Sequence, residues 1–222
     1  MRKLGPILLT LLLSMVLVTP GSAQNVRAGV KAGIDFADLG GDFEDVFETS
    51  TDMKTGFSGG AYVGFDVSDF FRLQLEGQYV QKGTKLSEEG IDIKFKLDYI
   101  ELLLPLTVLI PIEGGTVQPR LYVGPSLAFE MSCKVSGEDE GVSLEFDCDG
   151  PEVGAPTNSI DYGVFFGGGI DLQAGPGMVT IDLLYNLGIG DIADEDEGDP
   201  VIDVNNKNIQ VLVGYGFPIG GP

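Results

Sequence analysis

The chain contains no histidine and no tryptophan, only two cysteines, and 13 basic residues against 34 acidic ones. Each shortage removes a class of function. Without histidine there is no Ser-His-Asp or Asp-His arrangement and no zinc site of the usual ligand set. A formal net charge of −21 leaves no basic patch for nucleic acid or anionic lipid. Beyond the first two dozen residues no apolar run reaches even about 15 residues, short of the ~20 that a transmembrane helix needs. No enzyme and no nucleic-acid partner is expected.

What is present begins with MRKLGPILLTLLLSMVLVTPGSA, residues 1–23. Arg2 and Lys3 precede an apolar run from Ile7 to Val18, which closes on Pro20 and the small residues Gly21-Ser22-Ala23. This is the plan of a secretory signal peptide, with cleavage expected before Gln24. No cysteine follows that point, so no lipoprotein anchor is expected. The mature part, 24–222, is one domain's worth of chain. Without Arg2 and Lys3 it keeps 11 basic residues against the same 34 acids, a net charge of −23. In an exported chain Cys133 and Cys148 are expected to form a disulfide.

Apolar residues recur with a period of two, the signature of half-buried strands, and helical periodicity is nearly absent. In NVRAGVKAGIDFA, Val26, Ala28, Val30, Ala32, Ile34 and Phe36 share one face, opposite Arg27, Lys31 and Asp35. GFSGGAYVGFDVS and FRLQLEGQYVQKG repeat the pattern. A fourth strand is expected over 92–110, with Lys94, Lys96 and Asp98 opposite Ile93, Phe95, Leu97 and Tyr99, and with a bulge near Ile100-Glu101 where the phase breaks. Four more strands fall at 117–132, 160–174, 178–190 and 207–217. Long connections at 38–55, 84–91, 132–160 and 191–206 alternate with short ones at Ser68-Asp69, 111–116 and 175–177. The pattern predicts an all-β fold, an eight-stranded antiparallel up-and-down barrel with its long loops at one end.

The apolar faces are nearly free of charge over about ten residues, the length that a tilted strand needs to cross a bilayer. The opposite faces mix charge with glycine, serine and alanine, and aromatics (Phe36, Phe70, Phe71, Tyr79, Tyr99, Phe129, Tyr162, Tyr215, Phe217) gather near strand ends as interface girdles do. All three features favour a transmembrane barrel, apolar outside and polar within, over a soluble barrel or sandwich.

Six stretches carry a resemblance across the mature chain: VRAGVKAGIDFA, DYIELLLPLTVLI, RLYVGPSLAF, DYGVFFGGGIDLQ, IDLLYNLGIGDI and NKNIQVLVGYGF. In order and spacing they resemble the small outer-membrane β-barrel domain proteins of the porin family, the PorT-like kind. The resemblance implies a monomeric eight-stranded barrel in the outer membrane of a diderm bacterium, surrounded by outer-membrane lipid and inserted by the barrel-assembly machinery. Chains of this kind often end on the aromatic that the machinery recognises; here Phe217 is followed by PIGGP, so either a degenerate signal is tolerated or Tyr215 and Phe217 serve from slightly inside the end.

The expected lumen face carries Arg27, Lys31, Arg72, Lys82, Lys94, Lys96 and Arg120, facing Asp35, Asp66, Glu76, Asp98, Glu101, Glu130, Asp161, Asp171 and Asp182. At eight strands the interior is only wide enough to be filled by side chains, and buried charges must be paired. A salt-bridged plug is the expectation; a narrow ion pore lined by the same groups is the alternative. Asp161 and Asp171 as an acid–base pair are explained more simply as members of ion pairs.

In MSCKVSGEDEGVSLEFDCDG, residues 131–150, a turn at Gly137–Gly141 sets Cys133 nearly opposite Cys148. The segment reads either as a stapled loop or as a rigid finger shaped for an extracellular protein. Of the 34 acids, 22 lie in the four long connections, against Lys54, Lys85 and Lys134. The run beginning at Asp194 fails the EF-hand spacing, with Gly198 at position 5 and Asn205 at position 12. A weak divalent site, with Ca2+ the candidate ion, is left at Asp194, Asp196 and Asp199; no other cofactor is expected. The acids otherwise read as a hydrated negative rim. A structural or surface-interaction role follows, with a small pore or secretion-associated transport component, and a divalent-cation-dependent adhesin, as the alternatives.

Overall fold

The computed structural model describes residues 26–41, 51–88, 91–112, 114, 116–139, 142–151, 153, 157–192 and 204–219. Ten strands carry them: β1 (Val26–Gly41), β2 (Thr51–Ser68), β3 (Phe71–Glu88), β4 (Ile91–Leu103), β5 (Leu106–Leu109), β6 (Val117–Asp139), β7 (Val142–Asp147), β8 (Ile160–Ala174), β9 (Gly177–Gly188) and β10 (Val204–Ile219). No helix of the described residues is long and apolar enough to cross a membrane.

The strands make a ring of eight wall positions. β4 and β5 occupy one position between β3 and β6, interrupted at Leu104-Pro105 because proline has no N–H to give the ladder. The gap is bridged by Gln74 N–H to the Pro105 carbonyl at 3.1 Å and Leu104 N–H to the Pro125 carbonyl at 3.2 Å. Closure comes from β1 against β10, in register from Val26↔Ile219 to Gly41↔Val204. Closing the ring pairs the strand edges that hydrocarbon cannot solvate. β7 pairs with β6 only and stands outside the ring.

The strands run further than the sequence pattern predicts. Residues 38–41, 51–55, 84–88 and 132–139, expected in loops, are strand. β6 alone has 23 residues, about 75 Å of extended chain against an apolar band of ~25 Å. Even tilted, its upper third stands in water. At the opposite end the connections are tight, and Gly175 takes a φ of 62° in the Gly175-Pro176 turn, a conformation that a Cβ would strain.

Outside, Val30, Ile34, Val63, Leu75, Leu102, Leu121, Val164, Leu183 and Val213 all lie exposed in one apolar belt around the ring. A soluble monomer rarely exposes so much contiguous apolar surface. Inside, charged and amide side chains fill the lower and middle levels, and an apolar cluster of Leu39, Val80, Leu86, Leu97, Tyr99, Ala128, Ile192 and Val204 caps the end that the long loops leave.

The fourth strand corrects the expected phase. Leu97, Tyr99, Glu101 and Leu103 are all buried inside, while Ile100 and Leu102 face out, so the alternation never breaks. The ladder irregularity lies between Asp98↔Ser132 and Tyr99↔Glu130, which leaves Met131 of β6 as the extra residue rather than one near Ile100-Glu101. Tyr99 is fully buried and belongs to no interface girdle.

The charged interior and the extracellular hairpin as the candidate functional site

Alternation along β1, β2, β3, β6, β8 and β9 aims one charged side chain after another into the lower lumen, where they form a single ladder. Arg27 meets Asp66 at 3.0 Å and Arg72 meets the other oxygen of Asp66 at 2.7 Å. Arg72 reaches across to Asp171 at 2.9 Å, and Arg120 binds Asp171 at 2.8 Å. Arg120 continues to Asp182 at 2.8 Å, and Lys31 ties Asp182 (3.2 Å) to Glu76 (2.9 Å). Four bases and four acids alternate, so that each charge has a partner of opposite sign, the condition under which buried ions persist. Lys31 also lies 5.0 Å from the Tyr62 ring and Arg120 lies 5.7 Å from that of Tyr122. Gly167 makes room for Tyr122, since a Cβ there would sit 2.7 Å from its ring.

The middle level is richer in amides. Lys82 binds Glu101 at 2.9 Å and Asp161 at 3.5 Å. Gln78 and Asn186 each donate to Glu101 at 2.7 Å, Asn206 donates to Asp161 at 2.9 Å, and Asn208 donates to Asp35. Glu130 accepts from the Thr157 hydroxyl at 3.0 Å near the rim.

Of the residues that the sequence points to, Arg27, Lys31, Asp35, Arg72, Glu76, Arg120, Asp161, Asp171 and Asp182 meet in the lumen. Lys94, Lys96 and Asp98 do not. They lie on the outer face of β4, continuous with Ile100 and Leu102, because the inner positions there belong to Leu97 and Tyr99. The physical reason is height: above the membrane the outer face meets water and welcomes charge, while the inside can be apolar. Gln74 and Gln78, on the polar face of FRLQLEGQYVQKG, are buried in the lumen as well, and so are Asn186, Asn206, Asn208 and Gln210, to which the pattern of charges did not point. Their signal was visible, since Asn206, Asn208 and Gln210 alternate with Lys207, Ile209 and Val211.

Above the end of its pairing with β8, the upper part of β6 forms the hairpin with β7, with Cys133 and Cys148 disulfide-bonded. On its outer face Glu145 accepts from Lys96 at 2.7 Å and from Lys134 at 2.9 Å. These two ammonium groups, Lys96 first, hold the Glu145 carboxyl well below its ordinary range, at about 2, and Glu145 in turn raises Lys134. Asp194, Asp196 and Asp199 lie outside the described residues, as does the segment 1–23. Among the described residues no three of Asp, Glu, Cys and His converge as metal ligands.

Residues 22–194 match the family of the outer membrane protein beta-barrel domain. No curated protein sequence matches. Neisserial surface protein A is 15% identical, with a TM-score of 0.49 over 86% of this chain and 97% of its own. The outer membrane protein OprG from Pseudomonas aeruginosa is 13% identical, with a TM-score of 0.47 over 88% and 98%. Ail, the attachment invasion locus protein of Yersinia pestis, solved with the heparin analogue sucrose octasulfate, is 13% identical, with a TM-score of 0.42 over 87% and 99%.

Proposed function

Since the chain belongs to the family of the outer membrane protein beta-barrel domain and resides in the cell outer membrane, we propose that it is a closed, non-enzymatic barrel that presents its acidic extracellular loops as a contact surface. The observation that carries this reading is the ladder from Asp66 through Arg72, Asp171, Arg120, Asp182 and Lys31 to Glu76. It crosses the lumen from wall to wall in bonds of 3.2 Å or less. The void beside it, between Lys31, Glu76, Arg120 and Tyr122, measures about 10 Å³, room for about one water. At the long-loop end the apolar cluster around Leu97 and Tyr99 closes the lumen and offers an ion in transit nothing to bind. A hydrated path through both levels would require breaking buried ion pairs, which stabilise the barrel only while intact.

The role then lies at the rim. The hairpin, anchored by Cys133–Cys148 and by Glu145 between two lysines, holds a fixed shape above the membrane. The loops around it concentrate negative charge, which favours basic or cation-bridged partners.

Conductance tests the closed lumen. The full chain refolded into planar bilayers is expected to give no stable single-channel steps at moderate voltage, and reproducible steps would replace this reading with the small-pore alternative.

A further inference from the structure

The middle level of the lumen is not neutral. Asp35, Glu101 and Asp161 are all buried there, and Lys82 is the base bound to two of them. The Lys54 ammonium donates to the Lys82 backbone carbonyl at 2.9 Å. Counting both, three carboxylates face two ammonium groups, whereas the ladder below is balanced.

The same level holds a row of oxygens without a hydrogen-bond partner among the described residues: Asp35 Oδ2, Asp161 Oδ1, Asn206 Oδ1 and Asn208 Oδ1. Their residues are 0%, 2%, 1% and 2% exposed, so solvent at the surface does not satisfy them. The amide nitrogens of Asn206 and Asn208 are committed to Asp161 and Asp35, and both side-chain carbonyls are left without a donor. Register places them together. Asn208 lies on β10 diagonal to Asp35, which is opposite Gln210. Asn206 is the next inward residue, and Asp161 Oδ1 lies against Gly188 beside the Asn206 backbone: a Cβ there would come 3.2 Å from that oxygen and 3.1 Å from the Asn206 main-chain nitrogen.

More buried carboxyl than ammonium groups, beside four unpartnered oxygens and a single unpartnered donor, Gln210 Nε2, suit a hard cation, which takes carboxylate and amide oxygens. We propose that the lumen holds a hard cation of the calcium class, bound by the carboxylates of Asp35 and Asp161 and the side-chain carbonyls of Asn206 and Asn208. The ion balances the middle level, joins β1, β8 and β10 from within, and is separate from the acidic run at Asp194–Asp199. The proposal rests on the closed-lumen reading, since an open lumen would hydrate these oxygens instead.

Terbium is the probe. Tyr99 receives a 3.3 Å hydrogen bond from Asn206, and with no tryptophan in the chain a lumen-bound terbium is sensitised by tyrosine. The full chain refolded in detergent with terbium is expected to show tyrosine-sensitised emission that calcium, present during refolding, removes. Asp35→Asn with Asp161→Asn is expected to lower it at least tenfold, and Tyr99→Phe several-fold. Folding of each variant is checked by its heat-modifiable gel mobility, and Asn206→Ala with Asn208→Ala replaces the carboxylate pair if that pair fails to fold. Absence of emission from the native chain, or emission unchanged in the folded lumen variants, overturns the proposal. A conducting barrel that keeps the Asp35-dependent emission would sink the closed lumen and not the ion; a silent barrel without emission does the reverse.

Discussion

Arg120 and Asp171 are joined at 2.8 Å across β6 and β8, with 3% and 0% of their side chains exposed. Asp171 also takes Arg72 from the far wall at 2.9 Å, so one carboxylate compensates two buried guanidinium groups. Asp171→Asn leaves both without their shared charge. The expected loss is about 3–5 kcal/mol, the range for breaking a buried pair from one side. It is measured by urea unfolding of the refolded barrel, and a loss under about 1 kcal/mol would show that the ladder is hydrated and weak.

The lipid belt is tested at Val213, which is 54% exposed midway along β10. On a soluble barrel Val213→Arg is a tolerated surface change, within ~0.5 kcal/mol. At a bilayer midplane it costs about 2–4 kcal/mol. Folding equilibria in lipid vesicles are expected to return the larger figure, and Leu144→Arg, on the hairpin above the membrane, a much smaller one.

Glu145 makes the hairpin sensitive to acid. Its carboxyl drops from an ordinary 4.5 to about 2 when folded against Lys96 and Lys134. A depressed carboxyl stabilises above its unfolded value and loses that contribution as pH falls, here between about 4.5 and 2. Amide hydrogen exchange in 134–147 is expected to quicken over that window and to show no such step in Glu145→Gln. The exposure of the three side chains keeps the effect small and lowers it further in salt.

The disulfide closes a loop of 15 residues, worth about 3 kcal/mol in the chain-entropy picture. Because β7 lies outside the ring, Cys133→Ser with Cys148→Ser is expected to open the hairpin to protease while the barrel keeps its heat-modifiable mobility. Loss of that mobility would mean that the hairpin is part of the barrel's own stability.

Much of this was legible along the chain. Arg27, Lys31 and Asp35 on β1, and Asp161 and Asp171 on β8, declare their face by alternation against long apolar runs. Lys94, Lys96 and Asp98 alternate just as cleanly, and the same rule sent them to the wrong side. Period two says which residues share a face; it does not say which face is inside once a strand has left the membrane. Tyr99 shows the converse, an aromatic at a strand end that faces the lumen and not the lipid headgroups.

By itself the sequence determined the class, the eight wall positions, the end from which the long loops rise and the polarity inversion. These depend on local periodicity and composition, which a strand displays along its own length. Tertiary structure alone decided which charge meets which. Arg72 and Asp171 stand 99 residues apart and come together only because the ring closes with one stagger between its strands. It also decided that acids and bases are equal in number in the lower lumen, while the middle level holds more carboxyl than ammonium groups. That difference arises from the heights at which Lys82, Glu101, Asp161 and Asp35 are stacked, a quantity that no single strand carries.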